Sequence, residues 1–310
     1  MMKITIVGAG NVGGTCASFI AAKNIVTKIL LLDISKEKAM GKALDIWNSS
    51  QLLTNNTKVI GLGNKEYIKT KNSKICIITS GFIRNTGMTR DQLITKNAVI
   101  IKEVTNKLLK YSKNALFIIV SNPLDIMTYV AFKELNISRF KIFGMSGLLD
   151  TARYNSYLAT ALKCNPKDIQ SMLIGEHGDT MIPLLRYTTV SGIPIGELLS
   201  KSNINFIIQK TKKTGGEILN MLKTSAWYTP GIAIANMVEA IIKNSKNIIT
   251  CSCYLTGEYG LNNVFLGVPV ILGKNGIEKI LELQLNKEER KNLKTSSLKI
   301  KKMISQLLEE

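Results

Sequence analysis

This chain of 310 residues has very little histidine, a single residue, and no apolar run that approaches the ~18 residues of a membrane-spanning helix. The sequence therefore predicts no membrane span. Five cysteines are present, but none forms a C-x-x-C pair and none adjoins the histidine, so we expect no metal centre. The odd number of cysteines and the lack of a secretory leader indicate reduced thiols in a cytoplasmic protein.

Acidic residues are scarce relative to basic ones. The chain has 22 aspartates and glutamates against 41 lysines and arginines, which gives a formal charge of +19. Such a charge would suit nucleic-acid binding, but the lysines are spread along the whole chain and no aromatic–basic motif accompanies them. The densest cluster, Lys299-Ile300-Lys301-Lys302, lies in a segment with helical apolar spacing, which predicts a solvated helix face. We expect anionic small molecules, and no nucleic acid, as partners.

Hydrophobic residues make up 45% of the chain, enough to build a sizeable core. Up to about Gly144, short apolar runs alternate with amphipathic stretches, which is typical of parallel strands covered by helices on both faces. We predict an α/β fold: a doubly wound parallel sheet (Rossmann) in a dinucleotide-binding domain over residues 1–144, then an α+β substrate and catalytic domain over residues 145–310. The predicted strands are 4–7, 29–32, 59–60, 75–79, 116–120, 142–143, 170–174, 181–190, 248–255 and 264–272, and the predicted helices include 12–22, 36–48, 91–109, 124–135, 148–162, 204–222 and 231–243.

A glycine-rich turn follows the first predicted strand, where Gly8, Gly10 and Gly13 form a G-x-G-x-x-G motif at the start of a helix. Gly8 permits a tight turn, Gly10 lets a pyrophosphate approach the backbone, and Gly13 allows close helix packing. The helix N-terminus then faces the phosphates. Asp33 ends the second strand, where a carboxylate hydrogen-bonds ribose hydroxyls and favours NAD over NADP. The segment Thr79-Ser80-Gly81 follows another predicted strand and should lie at the same carboxyl edge of the sheet.

The single histidine, His177, lies in a glycine-flanked segment after a predicted strand and not at a helical core position. Its side chain changes charge near neutral pH, which suits proton exchange with a hydroxyl. Asp150 and Arg153 lie at i and i+3 on one predicted helix face, where the acid can hold an imidazole and the arginine can bind a carboxylate. Alone, a histidine is more often structural than catalytic, and Asp150 with Arg153 would as readily form a surface ion pair as a functional site. Together they indicate a site for hydride and proton transfer.

A polar, glycine-containing segment over residues 81–90 carries two arginines, Arg84 and Arg90. Such a loop can close over a ligand and bring cations into a site from which water is expelled, although a solvated surface loop is the alternative. Ser121-Asn122-Pro123 ends another apolar strand and offers an amide near the same edge.

The chain as a whole resembles the NAD-dependent lactate/malate dehydrogenase family, and within it the lactate-dehydrogenase-like malate dehydrogenase branch. The resemblance runs from Met2 to the C-terminal helix and rests on GAGNVGG, LLDI, the double-arginine loop, VSNPLD, LLDTAR, GEHGDT, SAWYTPG and GVPVILGKNG. It implies an oxidoreductase that uses NAD, with (S)-malate and oxaloacetate as substrates. L-lactate dehydrogenase activity on lactate and pyruvate is the alternative.

The resemblance also implies residue roles. His177 would be the proton acceptor and Asp150 its partner, while Arg153 would bind the carboxylate next to the reacting carbon. Arg90 would polarise the reacting carbonyl, Asn122 would contact substrate and cofactor, and Ser225 would lie near the nicotinamide end. The implied cofactor contacts are Gly8, Gly10, Asn11, Val12, Gly13, Asp33, Thr79, Ser80, Gly81, Asn97, Val120 and Asn122.

Arg84 decides the expected substrate, because it matches the position where malate enzymes carry an arginine for the distal carboxylate and lactate enzymes commonly carry glutamine. Two features depart from the family pattern. Asn85-Thr86 stands where relatives often have Lys-Pro, and Glu176 stands where many malate enzymes of this branch have glycine and lactate enzymes have glutamate. Relatives form dimers or tetramers, so we expect a homotetramer or homodimer.

Two other classes of protein remain as alternatives. A metal-requiring, NAD-dependent glycosidase would need ligands of the histidine-with-cysteine kind, which this chain does not offer beside its one histidine. A non-enzymatic nucleotide-binding module with lysine-driven RNA affinity would show a steep loss of binding with rising salt.

Overall fold

A computed structural model describes residues 2–82, 90–178 and 180–309 of the chain, except for the side chains of residues 90 and 309. Up to residue 145, strands and helices alternate. They are β1 (Lys3–Val7), α1 (Asn11–Ala22), β2 (Lys28–Asp33), α2 (Lys36–Asn48), β3 (Lys58–Gly63), β4 (Ile75–Ile78), α3 (Arg90–Tyr111), β5 (Leu116–Ile119), α4 (Leu124–Leu135) and β6 (Ile142–Met145).

The second half mixes long helices with short and long strands. Its elements are α5 (Gly147–Leu162), β7 (Ile169–Gln170), β8 (Leu173–Ile174), β9 (Ile182–Pro183), β10 (Thr189–Val190), β11 (Ile193–Pro194), α6 (Ile195–Leu198), α7 (Lys201–Leu222), α8 (Tyr228–Ile242), β12 (Asn247–Thr256), β13 (Asn262–Gly273), β14 (Gly276–Ile280) and α9 (Lys287–Glu309). Within the described ranges, no helix has the length and apolar character that a membrane span requires.

In the described part of the chain, nine strands form one sheet in the order β14-β13-β12-β6-β5-β4-β1-β2-β3. The six strands from β3 to β6 are parallel, and β12 then joins antiparallel to β6 through Ser252 and Gly144. The predicted doubly wound parallel sheet is therefore confirmed, and strands assigned to the second domain extend the same sheet. The division at residues 144 and 145 stays a prediction.

The central strands are buried on both faces, which explains their composition. β4 (ICII) and β5 (LFII) are buried at every position, because helices cover both sides of the sheet and leave no face for polar residues. A smaller apolar cluster lies between α5 and α7 around Tyr154 and Leu158. The buried central strands and this smaller cluster fix the positions of the strand ends and of α5, which carry the polar side chains described below.

The predicted strands over residues 170–174 and 181–190 are wrong in length. The first run contains the end of β7 and the two residues of β8. The second contains β9 and β10 with a short 3-10 helix over Leu185–Tyr187 between them, and β9 ends at Pro183, which has no N–H for a ladder. Gly175 follows β8 with a φ of +96°, a left-handed conformation that ends the strand. Gly175 bends the chain, so that the segment carrying His177 turns away from β8.

The chain order reverses around β1, which has β2 on one side and β4 on the other. In open α/β sheets such a switch point leaves a crevice at the carboxyl ends of the strands, where ligands bind. The glycine turn after β1 and the segment after β4 both open onto this crevice.

Candidate active site

The glycine-rich turn between β1 and α1 packs closely against the end of β4. A Cβ added to Gly8, whose φ is +105°, would lie 2.7 Å from Thr79 Oγ1, and one added to Gly13 would lie 1.8 Å from the Gly8 carbonyl oxygen. Gly10 differs, since no described atom lies within 4 Å of its would-be Cβ. Two glycines are thus required by packing, while the third leaves open space where the sequence predicts a pyrophosphate.

Asp33, at the end of β2, faces the same turn. Its Oδ2 accepts a hydrogen bond from the Ala9 backbone N–H at 2.6 Å, and its Oδ1 accepts one from Ser35 N–H at 3.1 Å. A carboxylate oxygen has more than one acceptor site, so capacity remains for ribose hydroxyls. A cavity of about 480 Å³ lies against Asp33, Gly10 and residues 79–81.

The donors and acceptors around this cavity fit a dinucleotide. Gly10 at the N-cap of α1 provides no side-chain cap, so within the described part of the chain the first N–H groups of the helix are available to an anion. The Ser80 Oγ is buried and has no hydrogen-bond partner among the described atoms, as expected for a hydroxyl that awaits a ligand. Lys42 adds positive charge beside the turn by donating from Nζ to the Gly10 carbonyl at 2.9 Å. The residues present therefore match a group with ribose hydroxyls and phosphates.

Asn97 joins the two strand ends on the other side of the crevice. It is 1% exposed, its Oδ1 accepts from Phe82 N–H at 2.7 Å, and its Nδ2 donates to the Asn122 carbonyl at 2.7 Å. Ser121 Oγ donates to the Ser80 carbonyl at 2.5 Å, and the Asn122–Pro123 peptide bond is cis. These contacts hold the segments after β4 and β5 together, while the Asn122 side chain stays exposed.

His177 and Asp150 meet, although 27 residues separate them. The imidazole Nδ1 lies 2.8 Å from Asp150 Oδ2, and the side chains are 15% and 3% exposed. A carboxylate only accepts hydrogen bonds, so Nδ1 must donate, which leaves Nε2 to exchange a proton with a substrate. The pair satisfies the geometric requirement for an oriented general acid and base.

The surroundings favour the protonated imidazole. Burial lowers the pKa of His177, but the charge and hydrogen bond of Asp150, together with the charge of Asp125, outweigh that effect and leave the pKa above its ordinary value. Arg153 opposes the carboxylates and limits the rise. The surroundings of His177 therefore stabilise its protonated form relative to an ordinary histidine.

Arg153 lies beside Asp150 on α5, with its Nη1 3.7 Å from Asp150 Oδ1. Arg153 Nε and Asp150 Oδ1 are both buried without a hydrogen-bond partner among the described atoms. Gly215 of α7 lies beside the guanidinium, where a Cβ would make an ordinary van der Waals contact with Nη1 at 3.5 Å. A buried cation with an unused donor is a natural partner for a substrate carboxylate.

Asp125 is a functional candidate that the sequence reasoning did not assign. It is 3% exposed in the first turn of α4, its Oδ2 accepts from the His177 backbone N–H at 3.1 Å, and its Oδ1 accepts from Ser252 Oγ at 2.6 Å. Burial raises the pKa of Asp125 to about 6, against the opposing effect of these bonds. The sequence does contain a signal for Asp125: it is an acid inside an apolar run, Leu124-Asp125-Ile126-Met127. A buried carboxylate in such a run must find hydrogen-bond or charge partners.

The predicted site residues that the structure describes thus fall into two main groups. The glycine turn, Asp33 and residues 79–81 line the cavity, and His177, Asp150 and Arg153 form a polar cluster. Asn11 is the first residue of α1, Val12 is half-buried, Val120 is buried, and Ser225 is exposed between α7 and α8. Arg84 and the side chain of Arg90 lie outside the described residues. Among the side chains that are described, no group of three or more His, Cys, Asp or Glu is suited to hold a metal ion.

The sequence matches a known protein family and individual proteins within it. The NAD-binding domain of lactate/malate dehydrogenases matches residues 2–144, and the α/β C-terminal domain of the same enzymes matches residues 148–310. A malate dehydrogenase from Cytophaga hutchinsonii is 52% identical over 306 residues, which cover 99% of this chain and 98% of that protein.

Solved structures are also similar over nearly the whole chain. Malate dehydrogenase from Salinibacter ruber has a TM-score of 0.95 at 42% identity, and that from Picrophilus torridus has a TM-score of 0.96 at 40% identity. In both comparisons the match covers 99% of this chain and 98% of the other.

Proposed function

The chain belongs to the lactate/malate dehydrogenase family, and we propose that it catalyses the NAD-dependent interconversion of (S)-malate and oxaloacetate. NAD, when bound, supplies the acceptor and donor of the hydride. The turn at Gly8, Gly10 and Gly13, with Asn11 and Val12, would hold the pyrophosphate, and Asp33 the adenosine ribose. Asn97, Asn122, Val120 and residues 79–81 would complete the cofactor wall.

One observation carries the proposal: His177 Nδ1 lies 2.8 Å from Asp150 Oδ2, and Asp150 is also paired with Arg153, whose Nε has no hydrogen-bond partner among the described atoms. His177 gives a proton to the carbonyl oxygen as oxaloacetate is reduced, and it takes that proton back as malate is oxidised. Asp150 stabilises the imidazolium that results from oxidation. Arg153 holds the carboxylate next to the reacting carbon, so the hydroxyl oxygen is directed at Nε2.

The remaining substrate contacts are assigned by family resemblance. Arg90 polarises the reacting carbonyl, Arg84 binds the distal carboxylate, Asn122 contacts both ligands and Ser225 lies near the nicotinamide end. Two carboxylates on the substrate call for two guanidinium partners, and Arg153 and Arg84 supply them. L-lactate dehydrogenase activity is the second candidate, favoured by the glutamate at position 176.

Substitution of Arg84 by Gln tests the substrate assignment. We expect the ratio of kcat/KM for oxaloacetate to that for pyruvate to fall by about 10- to 150-fold, since a hydrogen bond between charged groups contributes about 1.5–3 kcal/mol. Arg290→Gln, on the exposed face of α9, changes the net charge equally and should leave the ratio unchanged. A ratio that survives in Arg84→Gln rejects the role given to Arg84.

We also propose an oligomeric state and a cellular location for the chain. We expect a homotetramer or homodimer in the cytoplasm, in keeping with free cysteines at positions 16, 76, 164, 251 and 253, of which all but Cys164 are buried. Sedimentation equilibrium of the purified chain distinguishes the two assemblies from a monomer.

A further inference from the structure

A fourth glycine follows the three glycines of the turn motif, and the motif itself does not require it. Gly14 is the fourth residue of α1, where a glycine is less favourable than an alanine. It is buried, and a Cβ added to it would lie 3.0 Å from Lys42 Cδ and 3.2 Å from Lys42 Nζ. The three atoms nearest to that Cβ all belong to Lys42. The missing side chain therefore makes room for a lysine.

Lys42 lies on α2, and its side chain reaches the beginning of α1. Its Nζ donates to the Gly10 carbonyl at 2.9 Å, and the same carbonyl accepts a hydrogen bond from Gly14 N–H at 3.0 Å. An ammonium group has three donors, and within the described ranges this carbonyl is the hydrogen-bond acceptor that Lys42 contacts. A half-buried cation with unused donors is thus held against the first turn of α1.

This position is unfavourable for a cation unless an anion is also present. The N-terminus of a helix carries a partial positive charge, and α1 has no acidic residue in its first turn. Burial lowers the pKa of Lys42, the charge of Lys38 adds to this effect, and the charge of Asp33 opposes it. Asp33 accepts hydrogen bonds from two backbone N–H groups, so its charge is shared with them. The surroundings therefore leave positive charge for a ligand beside the cavity that Gly10 lines.

The hydrogen bond of Lys42 also acts on a peptide group at the start of the helix. The Gly10 carbonyl and the Asn11 N–H belong to the same peptide unit, and Asn11 is the first residue of α1. Hydrogen bonds in a chain polarise one another, so an ammonium on the carbonyl makes the N–H a stronger donor to an anion. Lys42 thus favours an anion both by its charge and through this peptide.

We propose that Lys42 is a positioning residue for the cofactor, which supplies positive charge from α2 for the diphosphate of the dinucleotide. Gly14 lacks a side chain so that this lysine can reach the Gly10 carbonyl. The glycine motif alone provides backbone donors and a helix end, and Lys42 adds a full charge to them. The inference deepens the proposed function: it rests on NAD as the cofactor and not on the identity of the substrate.

Equilibrium binding separates a role at the diphosphate from a role in packing. Lys42→Met keeps the apolar stem of the side chain and removes the ammonium. We expect the Kd for NADH to rise about tenfold, the lower end of the range for a charge-assisted hydrogen bond, because the ammonium is partly solvated. ADP also carries a diphosphate and should lose affinity by the same factor. Adenosine carries no phosphate and should bind as it does to the parent.

The measurement is a titration of NADH fluorescence, with ADP and adenosine as competitors. Lys113→Met is the matched control, because Lys113 is exposed and precedes β5, at the opposite edge of the sheet from the glycine turn. It changes the net charge equally and should leave all three affinities unchanged. Salt screens partly solvated charges, so the difference between Lys42→Met and the parent should shrink as the ionic strength rises from about 0.02 to about 0.5 M.

Gly14→Ala tests the link between the glycine and the lysine. The added Cβ displaces the ammonium, so binding of NADH and ADP should weaken while adenosine binding stays the same. The melting temperature should not fall, since alanine favours a helix over glycine. In Gly14→Ala/Lys42→Met the two losses should not add, because the ammonium is already absent.

An unchanged affinity of Lys42→Met for NADH and ADP overturns the inference. So does an equal loss of adenosine binding, because that result shows a packing role for the lysine. Additive losses in the double variant contradict the role given to Gly14. If the parent binds neither NADH nor ADP, the assignment of NAD fails, and the inference fails with it.

Discussion

Substitution of Asp150 by Asn tests the pairing of this carboxylate with the imidazole. Asparagine preserves the shape of the side chain but removes the charge that faces His177 Nδ1 at 2.8 Å. A charge-assisted hydrogen bond of about 1.5–3 kcal/mol is then reduced to a neutral one of about half that strength, so kcat/KM should fall by about 4- to 13-fold. Asp168→Asn, on an exposed turn, is the matched control.

The sign of the pH effect follows from the cause of the shift. Asp150 raises the pKa of His177, so its removal lowers that pKa. Oxaloacetate reduction needs the protonated imidazole, and its rate should decline at a lower pH in the variant than in the parent. Malate oxidation needs the neutral imidazole, so its onset should also move to lower pH. The single histidine resonance should titrate in parallel with both profiles.

The reasoning is refuted if Asp150→Asn keeps both the parent rate and the parent pH profile. A lower rate with an unchanged histidine titration would also contradict it, because it would show that the carboxylate does not set the protonation of the imidazole.

Two further predictions concern the cofactor. Asp33→Ser should shift the NADH-to-NADPH ratio of kcat/KM towards NADPH by about 10- to 150-fold, since one charged hydrogen-bond acceptor for the ribose is lost and a 2′-phosphate is no longer repelled; an unchanged ratio would show that Asp33 does not contact the ribose. Gly10→Ala should melt like the parent yet lose NADH affinity in a fluorescence titration, whereas Gly13→Ala, with its Cβ 1.8 Å from the Gly8 carbonyl oxygen, should lower both the melting temperature and the affinity. Equal behaviour of the two alanine variants would contradict the packing described for the turn.

The first half of the fold could be predicted because local pattern and tertiary environment agree there. The predicted helices over residues 36–48 and 124–135 have the same bounds as α2 and α4. The apolar runs of β4 and β5 identify strands buried on both faces, for which parallel packing is the usual solution. In this region the pattern of apolar residues was sufficient to predict the helices and the buried strands.

The second half depends on contacts between distant residues. Nothing local in β12 indicates that it joins β6 antiparallel and extends the first sheet. The strand β8 packs beside α5 and β13, whereas β9 packs beside β8 and α9, and Gly175 with Pro183 limits these strands to two residues. An apolar run alone does not distinguish a long strand from two short ones.

Within the candidate site, too, some residues could be predicted from the local sequence and others could not. His177, Asp150 and Arg153 could be selected from residue type and motif, and the structure brings them together. Asp125 could not, because its role depends on a contact with the backbone of His177, which lies 52 residues further along the chain. Charges that act at a site through space leave no local pattern in the sequence.

The most direct measurement of the central claim is the oxidation of NADH by the purified chain with oxaloacetate and with pyruvate in parallel. We predict rapid turnover of oxaloacetate and a kcat/KM at least about tenfold higher than that for pyruvate, the smallest difference expected from one additional charged contact. Preferential reduction of pyruvate, or turnover of neither keto acid, would contradict it.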